Sequence, residues 1–537
     1  MTSPRRLDDG VAAWPLFDAA TCRRLEADAA TSLPAHALMA RAGLALARLA
    51  RALVPHGRRA WIAAGPGNNG GDGLVAARHL QAAGWQVVVT LCADAGRLPP
   101  DAAWAWRAAQ AAGLDLRDTL PSPEELAAQD LAIDALLGLG ASRAPARAIA
   151  AAVQALNAGP APVLAVDVPT GLSSDTGAVL GTANPGPARA CVTARWTLVL
   201  LAPKPGLFTG TGRAVAGQLW FDGLGVPLDA HPPQAWLAGV DAARTLAVPR
   251  GAAAHKGSFG DVHVVGGAPG MAGAARLCAR AAAHAGAGRV FVHPLGRQGS
   301  APGLDDRQPE LMIRTPAPRP QSGDAATWVV GCGGGEPVRR WLATGLAGAA
   351  RLVLDADALN AVAASPSLQA ALRARAGHGR ATILTPHPLE AARLLGATTA
   401  QVQADRLGAA RALAGRTGAC VVLKGSGTVL ALPGGVPWIN PTGNARLATA
   451  GTGDVLAGWI GGAWSAASGD AAAGGGNVTV EAGAAGEVAL QAALAATWRH
   501  GRAADEAPGD PALPWLASEL VEAMTAVLPP HGTPVPA

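Results

Sequence analysis

Residues 444–454 read Asn-Ala-Arg-Leu-Ala-Thr-Ala-Gly-Thr-Gly-Asp, and an apolar run from Val455 to Trp464 follows. Gly451 and Gly453 lack a Cβ, so the backbone there can turn sharply and present successive N–H groups. With the positive end of the following helix, such groups make an anion site. Asp454 stands in that site. A carboxylate so placed either caps the helix or takes a proton from something bound beside the anion.

A second dense stretch is Gly65-Pro-Gly-Asn-Asn-Gly-Gly-Asp-Gly73. Asn68, Asn69 and Asp72 bring two carboxamides and a carboxylate to a loop whose Gly70 and Gly71 keep the backbone accessible. Asn, Gly and Asp are ordinary turn residues, but five in a row exceed what a turn requires. The dinucleotide spacing Gly-x-Gly-x-x-Gly is met only nominally, by Gly65, Gly67 and Gly70.

Acids recur at the ends of apolar runs: Asp134, Asp167, and the pair Asp355 and Asp357. In a parallel sheet such an acid is costly unless paired or put to use. Asn69, Asp134 and Thr170 could together supply oxygens to a hard cation. His387 lies between Pro386 and Pro388. The prolines fix an extended turn, although a lone histidine more often holds structure than substrate. Lys424-Gly-Ser-Gly-Thr428 offers an ammonium and backbone N–H groups suited to phosphate, but a strand follows it, unlike a Walker loop. Only three of the 43 basic residues are lysines, Lys204, Lys256 and Lys424, each near glycine or proline. A lysine that persists amid arginines is a candidate for a task needing a compact ammonium.

These residues must be positioned by alternating strands and helices. Residues 17–54 read as helical, then a strand to Gly65, the glycine loop, and a helix over 74–83. Strands at 86–93, 130–138, 161–167 and 196–202 follow, with helical segments implying parallel order. After a Gly/Pro/Ala-rich stretch the pattern restarts with a strand over 262–266, a glycine loop and a helix over 274–285. Strands at 289–293, 327–332, 351–355, 381–385 and 419–423 complete it. The expected fold is α/β throughout: a Rossmann-like three-layer domain over 1–228, a linker over 229–244, and a second α/β domain over 245–537. Residues 465–485 read as a flexible insertion.

The formal charge is +5, the arginines are scattered, and no basic run interleaves with aromatics, so nucleic acid is not an expected partner. The six cysteines are dispersed with no Cys-x-x-Cys pair, which suits small buried side chains in a reducing cytoplasm. No apolar signal core or membrane-length run is present, so no membrane partner is expected.

The loop 67–73, the Asp134 strand, Val166-Asp-Val-Pro-Thr-Gly171 and Lys204-Pro-Gly-Leu207 together resemble NAD(P)H-hydrate epimerase domains, over roughly residues 15–225. The resemblance implies interconversion of the R and S epimers of hydrated NAD(P)H. It implies substrate contacts from Asn68, Asn69, Gly70, Gly71 and Asp72, from Gly138, Leu139, Gly140, Ala141, Ser142, Arg143 and Ala144, and from Asp167, the catalytic carboxylate. Potassium would be held by Asn69, Asp134 and Thr170, the last standing where the family carries serine.

The second half resembles the ribokinase-like fold and, more narrowly, ADP-dependent NAD(P)H-hydrate dehydratases, over about residues 245–530. Val353-Leu-Asp-Ala-Asp-Ala-Leu-Asn360 and Leu384-Thr-Pro-His-Pro-Leu-Glu390 are the distinctive stretches. The implied contacts to the hydrated coenzyme are Ala274, Gly335, His387 and Asp454. ADP would be cradled by Lys424, Gly425, Ser426, Gly427 and Thr428, and by Asn444, Ala445, Arg446, Leu447, Ala448, Thr449, Ala450, Gly451, Thr452 and Gly453. Asp454 is the implied catalytic residue and magnesium the implied companion of the nucleotide. The expected partners are the small molecules NADHX, NADPHX and ADP, and the expected assembly is a homo-oligomer. Two other readings are open: a ribokinase-like small-molecule kinase with a fused nucleotide-binding module, and a nucleotide-binding scaffold whose first module has lost catalysis.

Overall fold

Arg59–Ala64 (β2) is buried at five of its six positions, as a strand covered on both faces must be. The computed structural model describes residues 3–7, 12–181, 190–244, 250–296, 305, 308–321, 324–473, 482–510 and 513–527. Contacts divide the chain into two compact units, mainly Trp14–Trp236 and Leu237–Ala537.

The first unit holds an eight-stranded sheet made by Arg5–Arg6 (β1), β2, Gln86–Leu91 (β3), Asp115–Arg117 (β4), Leu131–Ala135 (β5), Val163–Val166 (β6), Trp196–Leu200 (β7) and Gln218–Asp222 (β8). Its order is β1-β8-β7-β6-β5-β2-β3-β4. All pairings are parallel except that of β1 with β8. The chain leaves β2 toward β3 and β4, then returns to place β5 on its other side. Such a reversal of direction opens a crevice at the carboxyl ends of the strands.

The second unit holds Asp261–Gly266 (β9), Arg289–Pro294 (β10), Met312–Ile313 (β11), Thr327–Val330 (β12), Arg351–Leu354 (β13), Thr382–Leu384 (β14), Cys420–Leu423 (β15), Val429–Ala431 (β16) and Trp438–Ile439 (β17). They lie in the order β11-β10-β9-β12-β13-β14-β15-β16-β17. Pairing is parallel from β11 to β15 and antiparallel beyond. The direction reverses between β9 and β12, and the expected strands and their parallel order are all present.

Four expectations need correction. Residues 68–72 are not loop: the helix runs Asn68–Ala82, with only Gly65–Gly67 as the turn. Helix propensity argues against Asn, Gly and Asp there, but packing decides. A Cβ on Gly70 would lie 2.2 Å from the Gly65 carbonyl oxygen, and one on Gly71 2.4 Å from Met39 Cε. Residues 17–54 form two helices, Ala19–Ala30 and Ala37–Leu53, parted by a turn in which His36 has φ 62°. The stretch 229–244 contains a strand, Ala235–Leu237, and a short helix, Asp241–Arg244. Residues 465–473 continue the Thr452–Ala473 helix, with Ser465 buried against the carbonyls of Phe259 and Asp261; residues 474–481 of the expected insertion lie outside the described residues.

Among the described residues no helix is long and apolar enough to cross a membrane. None of the six cysteines is in a disulfide, and all but the half-buried Cys92 are buried.

Candidate active sites

The first unit carries a cleft of about 740 Å³ at the carboxyl ends of its strands. Gly67, Asn68, Asn69 and Asp72 line it after β2, Gly138–Ala141 after β5, Asp167 after β6, and Leu200 and Leu201 after β7. The Ala19–Ala30 helix adds Arg23 and Glu26, and the Ala37–Leu53 helix adds Leu38, Met39 and Ala42. That second helix packs closely on the Asn68–Ala82 helix, for a Cβ on Gly43 would lie 2.4 Å from Val75 Cβ. Gly71 serves this packing against Met39, Gly70 lies against the Gly65 backbone, and neither lines the cleft; Ser142, Arg143 and Ala144 continue on the exposed part of the loop.

Asp167 is buried and has φ 67°. The fully buried Lys204 ammonium donates to its Oδ1 and to the Leu200 carbonyl at 2.7 Å. Burial opposes the charge on Lys204, but the Asp167 carboxylate outweighs it and holds the pKa above the ordinary lysine value. The same cleft contains carboxyls without such a cation. Burial, then the Asp167 charge, raises Glu26. Burial, then Asp167, Glu26 and Asp101, raises Asp72 well above the usual range.

Asp134 lies beneath this cleft, fully buried. Its Oδ1 accepts from Thr170 Oγ1 at 2.7 Å and Leu136 N–H at 3.2 Å, and its Oδ2 from Thr170 N–H at 2.8 Å. Burial pushes its pKa to about 6 despite these donors. Among the described residues no cationic side chain is paired with it. The Asn69 amide nitrogen is buried without a partner, and a Cβ on Gly138 would lie 3.1 Å from Asn69 Oδ1. A buried carboxylate lacking a counter-charge, a hydroxyl and an amide oxygen suit a weakly hydrated cation.

In the second unit, Lys424 follows β15 and its Nζ lies 2.7 Å from Oδ1 of Asp355, which follows β13. That oxygen also accepts from Thr385 Oγ1 at 2.7 Å. Arg406, missed in the sequence because nothing marks one helical arginine from another, donates to the Leu423, Lys424 and Gly427 carbonyls. It thereby fixes the loop that carries Gly425, Ser426 and Thr428. Thr452–Ala473 begins beside them, and a Cβ on Gly453 would lie 3.2 Å from Lys424 Nζ. Single atoms of Cys332, Asp355 and Asp454 all lie within 4.8 Å of one another. Burial, then the Asp355 charge, pushes Asp454 up to about 6.

Ala274 and Gly335 border the adjoining surface: a Cβ on Gly333 would meet Ala274 at 2.9 Å, and Gly335 N–H donates to Asp357 Oδ2 at 2.8 Å. His387 caps the Pro388–Leu395 helix. Its Nδ1 accepts from the Leu389 and Glu390 N–H groups, so Nε2 carries the proton, 3.2 Å from Glu390 Oε1. It remains half exposed and able to meet a ligand.

The loop 444–453 is held from behind. Asn444 Nδ2 donates to the Ala504 carbonyl, and buried Arg446 donates to the carbonyls of Ala507, Pro508 and Asp510. These two side chains therefore brace the loop; Ala445, Leu447, Ala448, Thr449 and Ala450 carry the backbone to Gly451, at φ 93°. Thr452 Oγ1 donates inward, toward the Leu447 and Thr449 carbonyls.

Both units thus place an acid, a lysine bonded to it and a glycine-bearing helix start at the carboxyl edge of a parallel sheet, the arrangement of a two-site α/β enzyme acting on nucleotide-like molecules. Residues 35–206 match the family described as YjeF-related protein N-terminus, and residues 262–526 the NAD(P)H-hydrate dehydratase family. The chain is 38% identical over 457 residues to the bifunctional NAD(P)H-hydrate repair enzyme Nnr of Escherichia coli (strain K12), covering 82% of this chain and 83% of that protein. It is 37% identical over 487 residues to the bifunctional NAD(P)H-hydrate repair enzyme of Leishmania braziliensis, covering 81% and 82%. The chain belongs to the family of bifunctional NAD(P)H-hydrate repair enzymes. Among solved structures, it is similar to the ADP/ATP-dependent NAD(P)H-hydrate dehydratase of Bacillus subtilis co-crystallized with ATP/Mg2+, with 25% identity, a TM-score of 0.40, and coverage of 54% of this chain and 96% of that one.

Proposed function

We propose that the chain restores hydrated NADH and NADPH in two steps. The first unit equilibrates the R and S epimers, and the second dehydrates the S form at the expense of ADP, releasing AMP and phosphate. The observation that carries this reading is the presence, in one family member, of two strand-end acid–lysine pairs, Asp167 with Lys204 and Asp355 with Lys424.

In the first cleft Asp167 handles the substrate proton, with the Lys204 ammonium bonded to its carboxyl oxygen. Asn69, Asp134 and Thr170 would hold potassium, which supplies positive charge beneath the cleft when bound. The Asp134 carboxylate, buried with no cationic side chain paired to it among the described residues, supports that assignment. The cleft-lining parts of 68–72 and 138–144 would contact the hydrated nicotinamide.

In the second unit Asp454 takes the hydroxyl proton of the S-hydrate as that oxygen attacks the β-phosphate of ADP. A base with a pKa of about 6 is matched to work near neutrality. The Lys424–Thr428 loop and the N–H groups at the start of the 452 helix would receive the phosphates. Phosphate then leaves, pushed out by the ring nitrogen, and loss of a proton from the adjacent ring carbon forms the C=C bond of NAD(P)H. Magnesium is proposed to come with the nucleotide's own phosphate oxygens, because the Cys332–Asp355–Asp454 cluster already has the Lys424 ammonium against it.

Mixed hydrate epimers and ADP, followed by NADH absorbance, test the reading. Full conversion is expected, with Asp454→Asn abolishing it. Nucleotide consumption without NADH would instead support a small-molecule kinase, and conversion stalling once the S form is spent would support an inactive first unit.

A further inference from the structure

Glu26 lines the same cleft as Asp167 and Asp72. It sits on the Ala19–Ala30 helix, away from the strand ends that carry the other acids. Asp167 is bonded to Lys204; no hydrogen bond or ion pair is seen for Glu26 among the described residues. The charged groups that act on it are Asp167, Lys204 and Arg23, and its own charge acts on Asp72 and Cys22. Two carboxyls thus line one cleft, one bonded to a buried ammonium and one with no hydrogen-bond or ion-pair partner among the described residues. Such a pair marks a general acid and a general base.

We propose that Glu26 is the second catalytic carboxyl of the epimerisation, working with Asp167 through one shared proton. This rests on the reading of the first cleft as an epimerase. Epimerising the carbinol carbon requires its hydroxyl to leave one face and return on the other. With the proton on Glu26, the ring nitrogen lone pair forms a C=N bond as the C–O bond breaks, and Glu26 protonates the departing oxygen to water. Water then adds to the opposite face and Asp167 takes its proton, while the C=N electrons return to nitrogen. No atom is oxidised or reduced. Proton return from Asp167 to Glu26 resets the site, and the reverse sequence serves the other epimer. Burial, then the Asp167 charge, shift Glu26 toward its protonated form.

The test uses the whole chain with pure R-hydrate, corrected for spontaneous epimerisation, with ADP-driven NADH formation from pure S-hydrate as the control for folding. Glu26→Gln should slow R-to-S conversion by about 100-fold or more, and Glu26→Asp should recover part of the rate. Wild-type epimerisation should fall at high pH as Glu26 loses its proton, and that fall should be missing from the residual activity of Glu26→Gln. A wild-type chain that does not epimerise overturns the reading of the cleft itself. An active wild type whose rate and pH profile are unchanged in Glu26→Gln overturns only the role of Glu26.

Discussion

Lys424 Nζ stands 2.7 Å from Asp355 Oδ1 and within reach of the first turn that bears Asp454, where a Cβ on Gly453 would come to 3.2 Å from the same nitrogen. The ammonium thus couples a strand end to the start of a helix. The Asp355 charge raises Asp454 and the Lys424 charge lowers it.

Removing that ammonium should move the acid limb of the second reaction. The base must be ionised, so NADH formation from the S-hydrate should fall as pH drops through about 6. In Lys424→Met the limb should shift to higher pH and the ADP concentration for half-maximal rate should rise at least 10-fold. An unchanged limb would remove Lys424 from the electrostatics of the base.

The Lys204–Asp167 pair is buried on both sides, with side-chain exposures of 0% and 7%. Removing one partner strands the other charge, a loss of about 3–5 kcal/mol for pairs of this kind. Lys204→Met should therefore lower the denaturation midpoint of the first unit and abolish epimerisation. Lys204→Met with Asp167→Asn should recover stability and leave epimerisation lost, as denaturant titration and the epimer assay would show.

Potassium should stabilise the first unit through Asp134. Thermal unfolding in potassium chloride should occur at a higher temperature than in tetramethylammonium chloride at equal ionic strength. The difference should vanish in Asp134→Asn and shrink in Thr170→Val. A wild-type chain indifferent to the cation would count against the site.

Buried His500 shares a hydrogen bond with the Thr452 carbonyl at 3.0 Å, and burial lowers its pKa to about 4. Its folded pKa lies below the unfolded one, so its contribution is fully present above the unfolded value of about 6.5 and is lost as pH falls toward 4. The penalty is on the order of 3 kcal/mol at most. His500→Gln, which keeps a donor for Thr452, should flatten the fall in stability between pH 6.5 and 4.

The sequence by itself determined the two α/β layers, because buried parallel strands read as short apolar runs and glycine turns punctuate them. It also exposed Asp134, Asp167 and Asp355, since an acid at the end of an apolar run has few inexpensive roles, and Asp454, which follows a glycine pair at a helix start; it singled out Lys204 and Lys424 against an arginine-rich background. Lys256, the third, is exposed. Only the tertiary structure decided which groups meet. Lys204 and Lys424 reach Asp167 and Asp355 across 37 and 69 residues of chain, and no local pattern encodes that distance. Asn68–Asp72 became helix because close approach to Gly65 and Met39 demands glycine there, overriding propensity. Arg446 and Asn444 turned inward because carbonyls in the last turn of the Ala482–Glu506 helix and just beyond it needed donors, and Glu26 entered the first-unit cleft because its helix roofs that crevice. Sequence periodicity fixes which face of an element is apolar; the meeting of polar groups from distant elements is fixed by packing alone.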